Sequence, residues 1–239
     1  MDNIFPTAAT ARLPAVDVLR PTWDDTPEFR RQRHDMVRRQ ILARGIRQPR
    51  LVRALSRLPR HLFTRPEERH AAYGDQALPA DHGQSLSQPF IVAVMTEQLE
   101  LRPEHRVLEI GTGTGYQTAL LAMLCAKVYT VEYVPQLSLT AQSRLQRMGF
   151  TNISFCTGDG SMGWEAHSPY DAIMVTAGAA MVPGPLVKQL ANAGRMIIPI
   201  GDRNIQMLKR IERNGDTIME RDILDCRFVP LLGQWGWRQ

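Results

Sequence analysis

Cysteine is scarce in this chain of 239 residues, and the three that occur, Cys125, Cys156 and Cys226, are far apart with no CxxC spacing. An odd, scattered set argues against a disulfide scaffold or a zinc site. No metal is expected, and the thiols read as reduced and buried among apolar neighbours. Long apolar runs are missing as well, so no stretch reaches membrane-spanning length. The N-terminus lacks the basic start and apolar block of a secretory signal. Together these absences predict a cytoplasmic protein. Internal repeats and low-complexity tracts are absent. What remains is ordinary for a globular chain, with 44% hydrophobic and 22% charged residues, enough for one main domain with a sizeable core.

Acidic residues are thin in one region. Between Glu28 and Arg60 stand eleven arginines against two acids, in a chain whose net charge is +5. Such a segment can be a nucleic-acid footprint. Here the arginines interleave with Met36, Val37, Ile41, Leu42, Leu51, Val52, Leu55 and Leu58, which reads as the polar, solvated face of amphipathic helices. No aromatic platform for stacking bases accompanies them. Nucleic acid is not expected as a partner.

Residues 1–25 read as an extension. Thr26-Pro27-Glu28 offers a hydroxyl cap, a first-turn proline and an acid at the positive end of a helix. A helix is predicted from there to Arg44, stopped by Gly45. A second short helix runs from Pro49 to near Pro59, and a third follows Pro89. After Arg106, apolar runs at 107–110, 128–131, 153–156, 172–175 and 196–200 alternate with helical stretches at about 115–126, 135–148 and 183–192. That alternation predicts an α/β fold, a mostly parallel, doubly wound Rossmann-like sheet with N-terminal helices. Runs at 205–211, 217–219 and 225–229, with a turn at Asn214-Gly215, predict that it ends in antiparallel strands. A single domain is expected over 26–232, divided into a helical region (26–100) and a cofactor-binding sheet (101–232), followed by a tail, 233–239.

The run Val107-Leu108-Glu109-Ile110-Gly111-Thr112-Gly113-Thr114-Gly115-Tyr116 is a strand entering three glycines and a helix. Its GxGxG spacing differs from the GxGxxG that seats a pyrophosphate. Glu109 would set a carboxylate beside the ligand, repelling phosphate and suiting a cation. S-adenosylmethionine, with its ammonium and sulfonium, fits better than NAD. Glu132 ends the second strand, where an acid can accept from ribose hydroxyls. Asp159, between Gly158 and Gly160 after the third strand, can accept from an adenine amino group. Each acid alone could be a surface or turn residue. All three fall at the carboxyl ends of successive strands, where open α/β sheets bind ligands.

These strings, together with Gly83-Gln84-Ser85-Leu86-Ser87-Gln88-Pro89, Tyr170-Asp171-Ala172-Ile173 and Arg227-Phe228-Val229-Pro230-Leu231, resemble the protein-L-isoaspartate O-methyltransferase family from about Met36 to Leu232. The SxSQP block and RFVPL are its specific parts. The resemblance implies a class I methyltransferase fold and methyl transfer from S-adenosylmethionine to the free α-carboxylate of isoaspartyl residues in ageing proteins. The ester then closes to a succinimide. It implies Ser87 as the active-site serine, orienting the substrate or shaping the methyl end; the competing role is a helix cap ahead of Gln88-Pro89. Ser85, Leu86, Thr176, Val229 and Pro230 fall where the substrate is bound, and Gly111, Gly113, Gly115, Tyr116 and Gly160 join the three acids at the cofactor. His82 reads as loop structure. Ala179-Ala180 stand where the family often has a proline and an acid, and the tail from Gly233 to Trp237 has no assigned counterpart. Its tryptophans would dock on the domain or on a second subunit. Rival readings are a methyltransferase for RNA, one for ordinary aspartate in a dedicated peptide, and a non-enzymatic binder.

Overall fold

The computed structural model describes residues 24–238. Apart from Asp24 and Asp25, the expected N-terminal extension lies outside them. The hydroxyl of Thr26 accepts from the Phe29 amide and caps α1 (Pro27–Met36). The path to Gly45 is helical, as predicted, but its winding changes. A π turn (Val37–Ile41) and a 3₁₀ turn (Leu42–Arg44) follow α1, and Gly45 stops the run at φ 90°. The wider turn keeps Met36, Val37 and Ile41 all buried. Next come α2 (Pro49–Arg57), a small antiparallel ladder of β1 (Leu78–Pro79) with β2 (Ser85–Leu86), and α3 (Pro89–Gln98). His82 sits in the tight turn between β1 and β2 at φ 56°.

Strands β3 (Arg106–Ile110), β4 (Lys127–Glu132), β5 (Ile153–Thr157), β6 (Tyr170–Val175) and β7 (Leu190–Gly201) are parallel, and β8 (Gln206–Asn214) and β9 (Thr217–Cys226) complete one seven-stranded sheet in the order β5-β4-β3-β6-β7-β8-β9. The last two pairings are antiparallel. Helices α4 (Tyr116–Ala122), α5 (Pro135–Arg147) and α6 (Gly184–Gln189) connect the parallel strands. Side chains alternate between two cores. Val107, Val128 and Met174 join the N-terminal helices, whereas Leu108, Val131 and Ile173 join the opposite face. Chain direction reverses its lateral order between β3 and β6, which opens a crevice at the strands' carboxyl ends. No helix among the described residues is long and apolar enough to cross a membrane.

Four expectations are corrected. The strand after α6 begins at Leu190, not Met196, and α6 is correspondingly short. The expected strand 217–219 and the first two residues of the expected strand 225–229 belong to one strand, β9, which ends at Cys226. Its central Glu220-Arg221-Asp222 looks like a break in the sequence. On a sheet edge it is tolerated, and Lys209 on β8 pairs with Glu220 and Asp222. The hairpin turn is Gly215-Asp216, since Asn214 still pairs with Thr217. Cys125 is buried, but Cys156 and Cys226 are only half-buried.

The arginine segment is not uniformly solvated. Arg33 and Arg60 are 3% and 0% exposed. Arg33 donates to both oxygens of Asp25 (2.9 and 3.0 Å), to the Ser56 carbonyl (2.8 Å) and to the Tyr73 hydroxyl (3.2 Å). His61 stacks on Phe29 at 3.9 Å and meets the same hydroxyl at 2.7 Å. Burial pushes the Tyr73 phenol up to about 12. Arg33→Met leaves these acceptors unpaired and should lower unfolding free energy by about 2–4 kcal/mol. Arg30→Met, on the exposed side of α1, should change it by less than about 0.5 kcal/mol. Equal urea midpoints for the two variants would show that the cluster does not hold the N-terminal helices.

Candidate functional site

The crevice beyond β3, β4 and β6 is a pocket walled on one side by the glycine loop and on the other by Ser85–Ser87 and residues 228–232. Gly111, Gly113 and Gly115 all have positive φ. At Gly111 the freedom is required twice, because a side chain there would meet the Thr176 hydroxyl at 2.4 Å. Gly115 packs against Ala141 and Leu145 of α5, away from the pocket. Gly113 has open space where its side chain would stand.

Of the expected site residues, Ser85, Leu86, Ser87, Gly111, Gly113, Tyr116, Glu132, Gly160, Thr176, Val229 and Pro230 line this one pocket. Glu109, Gly115 and Asp159 do not. Glu109 is wholly buried behind the loop. Hydroxyls of Thr118 and Thr130 donate to its Oε2 at 2.6 and 2.7 Å, and its Oε1 has no partner. Burial, only partly offset by those hydroxyls, pushes its carboxyl up to about 8. Its carboxyl is closed off from the pocket and does not line the ligand cavity as expected.

Glu132 does face the pocket, and it also builds it. Its Oε2 accepts from the Gly113 amide (2.8 Å) and its Oε1 from the Val134 amide (3.0 Å), tying the glycine loop to the end of β4. Asp159 sits just behind the wall. Its Oδ1 accepts from the Ser161 amide and hydroxyl (2.9 and 2.6 Å), and its Oδ2 from the Gln234 amide (2.7 Å). The tail thus docks on its own domain. Trp237 Nε1 donates to the Gly178 carbonyl (3.1 Å), while Trp235 is 43% exposed. Ala179 is buried and bridged to Ile200, and Ala180 is exposed.

Ser87 is half-buried in the pocket wall, and Gln88, not Ser87, occupies the position capping α3. Sequence reasoning missed Tyr133 and Val134, whose only signal is their place directly after Glu132. It also missed Val92 and Met95 on the inner side of α3, and Gln117 on α4.

The folded Glu109 carboxyl titrates near 8, whereas the unfolded one titrates near 4.5. Its contribution to stability is complete below about pH 4.5 and is lost as pH rises through about 8. Glu109→Gln removes this titration, so its stability relative to the parent should climb between pH 5 and pH 8. Parallel stability profiles would mean that the carboxyl is ionised throughout.

The same architecture recurs in known proteins. The family model for protein-L-isoaspartate(D-aspartate) O-methyltransferase (PCMT) matches residues 31–236. It runs through Gly236, so most of the tail belongs to the family pattern after all. A protein-L-isoaspartate O-methyltransferase of Magnetococcus marinus is 51% identical over 198 residues, 82% of this chain and 87% of that protein. One from Dictyoglomus thermophilum is 46% identical over 215 residues, 90% and 97% of the two chains. A solved protein-L-isoaspartate O-methyltransferase superposes with a TM-score of 0.76 at 29% identity, covering 87% of this chain and 67% of that one. A Plasmodium falciparum structure, described as a putative enzyme of this kind in complex with S-adenosyl-L-homocysteine, shares the fold with a TM-score of 0.73 at 24% identity, over 84% and 98%. Sequence match, fold and the placement of the SxSQP and RFVPL strings on one pocket agree: this chain belongs to the protein-L-isoaspartate O-methyltransferase family.

Proposed function

We propose that this protein transfers a methyl group from S-adenosylmethionine to the free α-carboxylate of L-isoaspartyl residues in damaged proteins and peptides, and that it works in the cytoplasm. Residues 26–232 form the methyltransferase domain in this reading. The carrying observation is the charge of the pocket. Among its described lining residues Glu132 is the only acid, and there is no lysine, arginine or histidine. No lining side chain offers a pyrophosphate a cationic hydrogen-bond donor, whereas a cationic ligand beside one carboxylate is favoured.

When bound, the cofactor supplies an electrophilic methyl group on a sulfonium. Glu132, already fixed by two backbone amides, has lone pairs left for the ribose hydroxyls. Gly111, Gly113 and Tyr116 flank it, and Gly115 and Glu109 shape the loop from behind. Gly160 walls the adenine end, where a side chain would strike Ile110 at 2.5 Å. Asp159 has three of its roughly four lone-pair sites occupied by the protein, leaving one for an adenine amino group. The substrate's carboxylate is ionised at neutral pH, so no general base is needed. The protein's task is alignment, assigned here to Ser87 with Ser85, Leu86, Thr176, Val229 and Pro230.

Ser87→Ala should lower kcat/KM for an isoaspartyl peptide about tenfold, the worth of one orienting hydrogen bond near 1.5 kcal/mol. Its affinity for S-adenosylhomocysteine and its Tm should stay at parental values. A lower Tm with normal turnover per folded molecule would reject the orienting role. An aspartyl twin peptide should not be methylated; equal methylation of the twin would favour the dedicated-peptide reading.

The two glutamates should separate cleanly in calorimetry. Glu132→Gln should weaken cofactor binding ten- to a hundredfold, since charged hydrogen bonds are worth about 1.5–3 kcal/mol. Glu109→Gln, isosteric and outside the pocket lining, should change it less than about threefold. The reverse ranking would place the cofactor's cationic end against Glu109.

A further inference from the structure

Arg60 is the largest fully buried side chain among the described residues, at 0% exposure. Its Nε donates to the Ala72 carbonyl and its Nη2 to the Ser87 carbonyl, both at 2.8 Å, and its Nη1 has no acceptor. The guanidinium carbon lies 5.0 Å from the centre of the Tyr116 ring. The buried Tyr116 hydroxyl faces the same guanidinium but is uncharged and supplies no counter-ion. No carboxylate among the described residues pairs with Arg60, in contrast to Arg33 with its two-pronged contact to Asp25. Burial lowers its pKa only to about 10, and the titratable groups facing it are Tyr116 and Tyr73. It is thus a cation at neutral pH, without a counter-ion, where an unpaired charge is expensive.

Ser87 and Tyr116, the residues against the guanidinium, both line the pocket. We propose that Arg60 is a positioning residue whose counter-ion arrives with the substrate: its charge draws the isoaspartyl carboxylate to the part of the pocket lined by Ser87, while Glu132 receives the cofactor. The pocket then carries a polarity. Its negative end suits a cationic methyl donor and its positive end suits an anionic acceptor. The fork to Ala72 and Ser87 sets where that positive end lies, because it pins the loop carrying Ser87 to the chain after Arg60. This inference rests on the proposed placement of substrate and cofactor.

Arg60→Gln keeps hydrogen-bond donors and removes the charge; Arg60→Lys keeps the charge and loses the fork. Both are assayed per folded molecule, counted by titration with S-adenosylhomocysteine. Arg60→Gln should raise KM for an isoaspartyl peptide about tenfold or more while kcat moves little. Its Kd for neutral S-adenosylhomocysteine should stay within about twofold. Its Kd for cationic S-adenosylmethionine should stay or tighten, because a like charge has gone. Arg60→Lys should keep KM within about threefold of the parent, even if its Tm falls. The variants carry separate expectations, so either one that folds decides. An unchanged KM in Arg60→Gln, or a tenfold rise in Arg60→Lys, overturns the proposal, as does a rise in KM matched by equal loss of S-adenosylhomocysteine binding. Failure of the underlying site reading looks different: Glu132→Gln would then leave cofactor affinity unchanged.

Discussion

The structure depends on how β3 ends. Ile110 must hand the chain to α4 while leaving room above the strand for a ligand. Gly111 is held there from both sides. Its amide donates to the Val131 carbonyl on β4 at 2.8 Å, and the Thr176 hydroxyl beyond β6 donates to its carbonyl at 2.7 Å. Thr176 occupies the space a side chain on Gly111 would need. The three parallel strands that form the floor are therefore locked together at the one point where the loop departs. One wall of the pocket takes its position from that junction: Glu132 through the Gly113 amide, Tyr116 through the start of α4, and Ala177 through the continuation of β6.

Charge is distributed around this junction with economy. Two glutamates stand at the ends of adjacent strands, yet only Glu132 lines the pocket. Strand alternation explains the division. Glu109, one residue before Ile110, points to the face covered by α4, opposite Thr130 on β4, where no water reaches it. Glu132 lies past the last residue paired with β3 and turns into the crevice. Burial pushes the first carboxyl up, and the second accepts from two backbone amides. The result is a pocket lined by a single acid, with the buried Arg60 guanidinium against two of its lining residues, Ser87 and Tyr116.

Much of this was legible in the sequence for a definite reason. Parallel strands covered on both faces must be apolar throughout, so 107–110, 128–131 and 172–175 announce themselves. The glycines, and the acid ending β4, fall where strand ends demand them. Legibility fails where a residue's surroundings are set by distant segments. Nothing local distinguishes Arg60 or Arg33 from the other arginines between Glu28 and Arg60. Their burial follows from packing against residues 72–73 and 56, brought in by the fold. The charged centre of β9 misleads because edge position is a property of the sheet, not of the strand. Glu109 misleads differently: its place in the motif is clear, but whether it is ionised depends on the helix that covers it.

The C-terminal segment shows how such distant contacts finish the site. Residues 228–232 line the pocket without belonging to a strand, so something else must hold them. Phe228 donates its amide to the Gln206 side chain at 2.8 Å, and Gly178 exchanges backbone hydrogen bonds with Val229 and Leu231 at 2.8 Å each. Beyond Leu232 the chain folds back, and Gly233 passes so close to Asp159 that a side chain would lie 1.9 Å from its Oδ1. Its φ of 145° reinforces the need for glycine. The Gln234 amide then reaches Asp159 and the Trp235 amide reaches the Ser161 hydroxyl at 2.9 Å. The tail therefore fastens the wall formed by residues 228–232 to the turn of Asp159–Ser161. A ligand at either end meets a surface whose position the other end helps to fix.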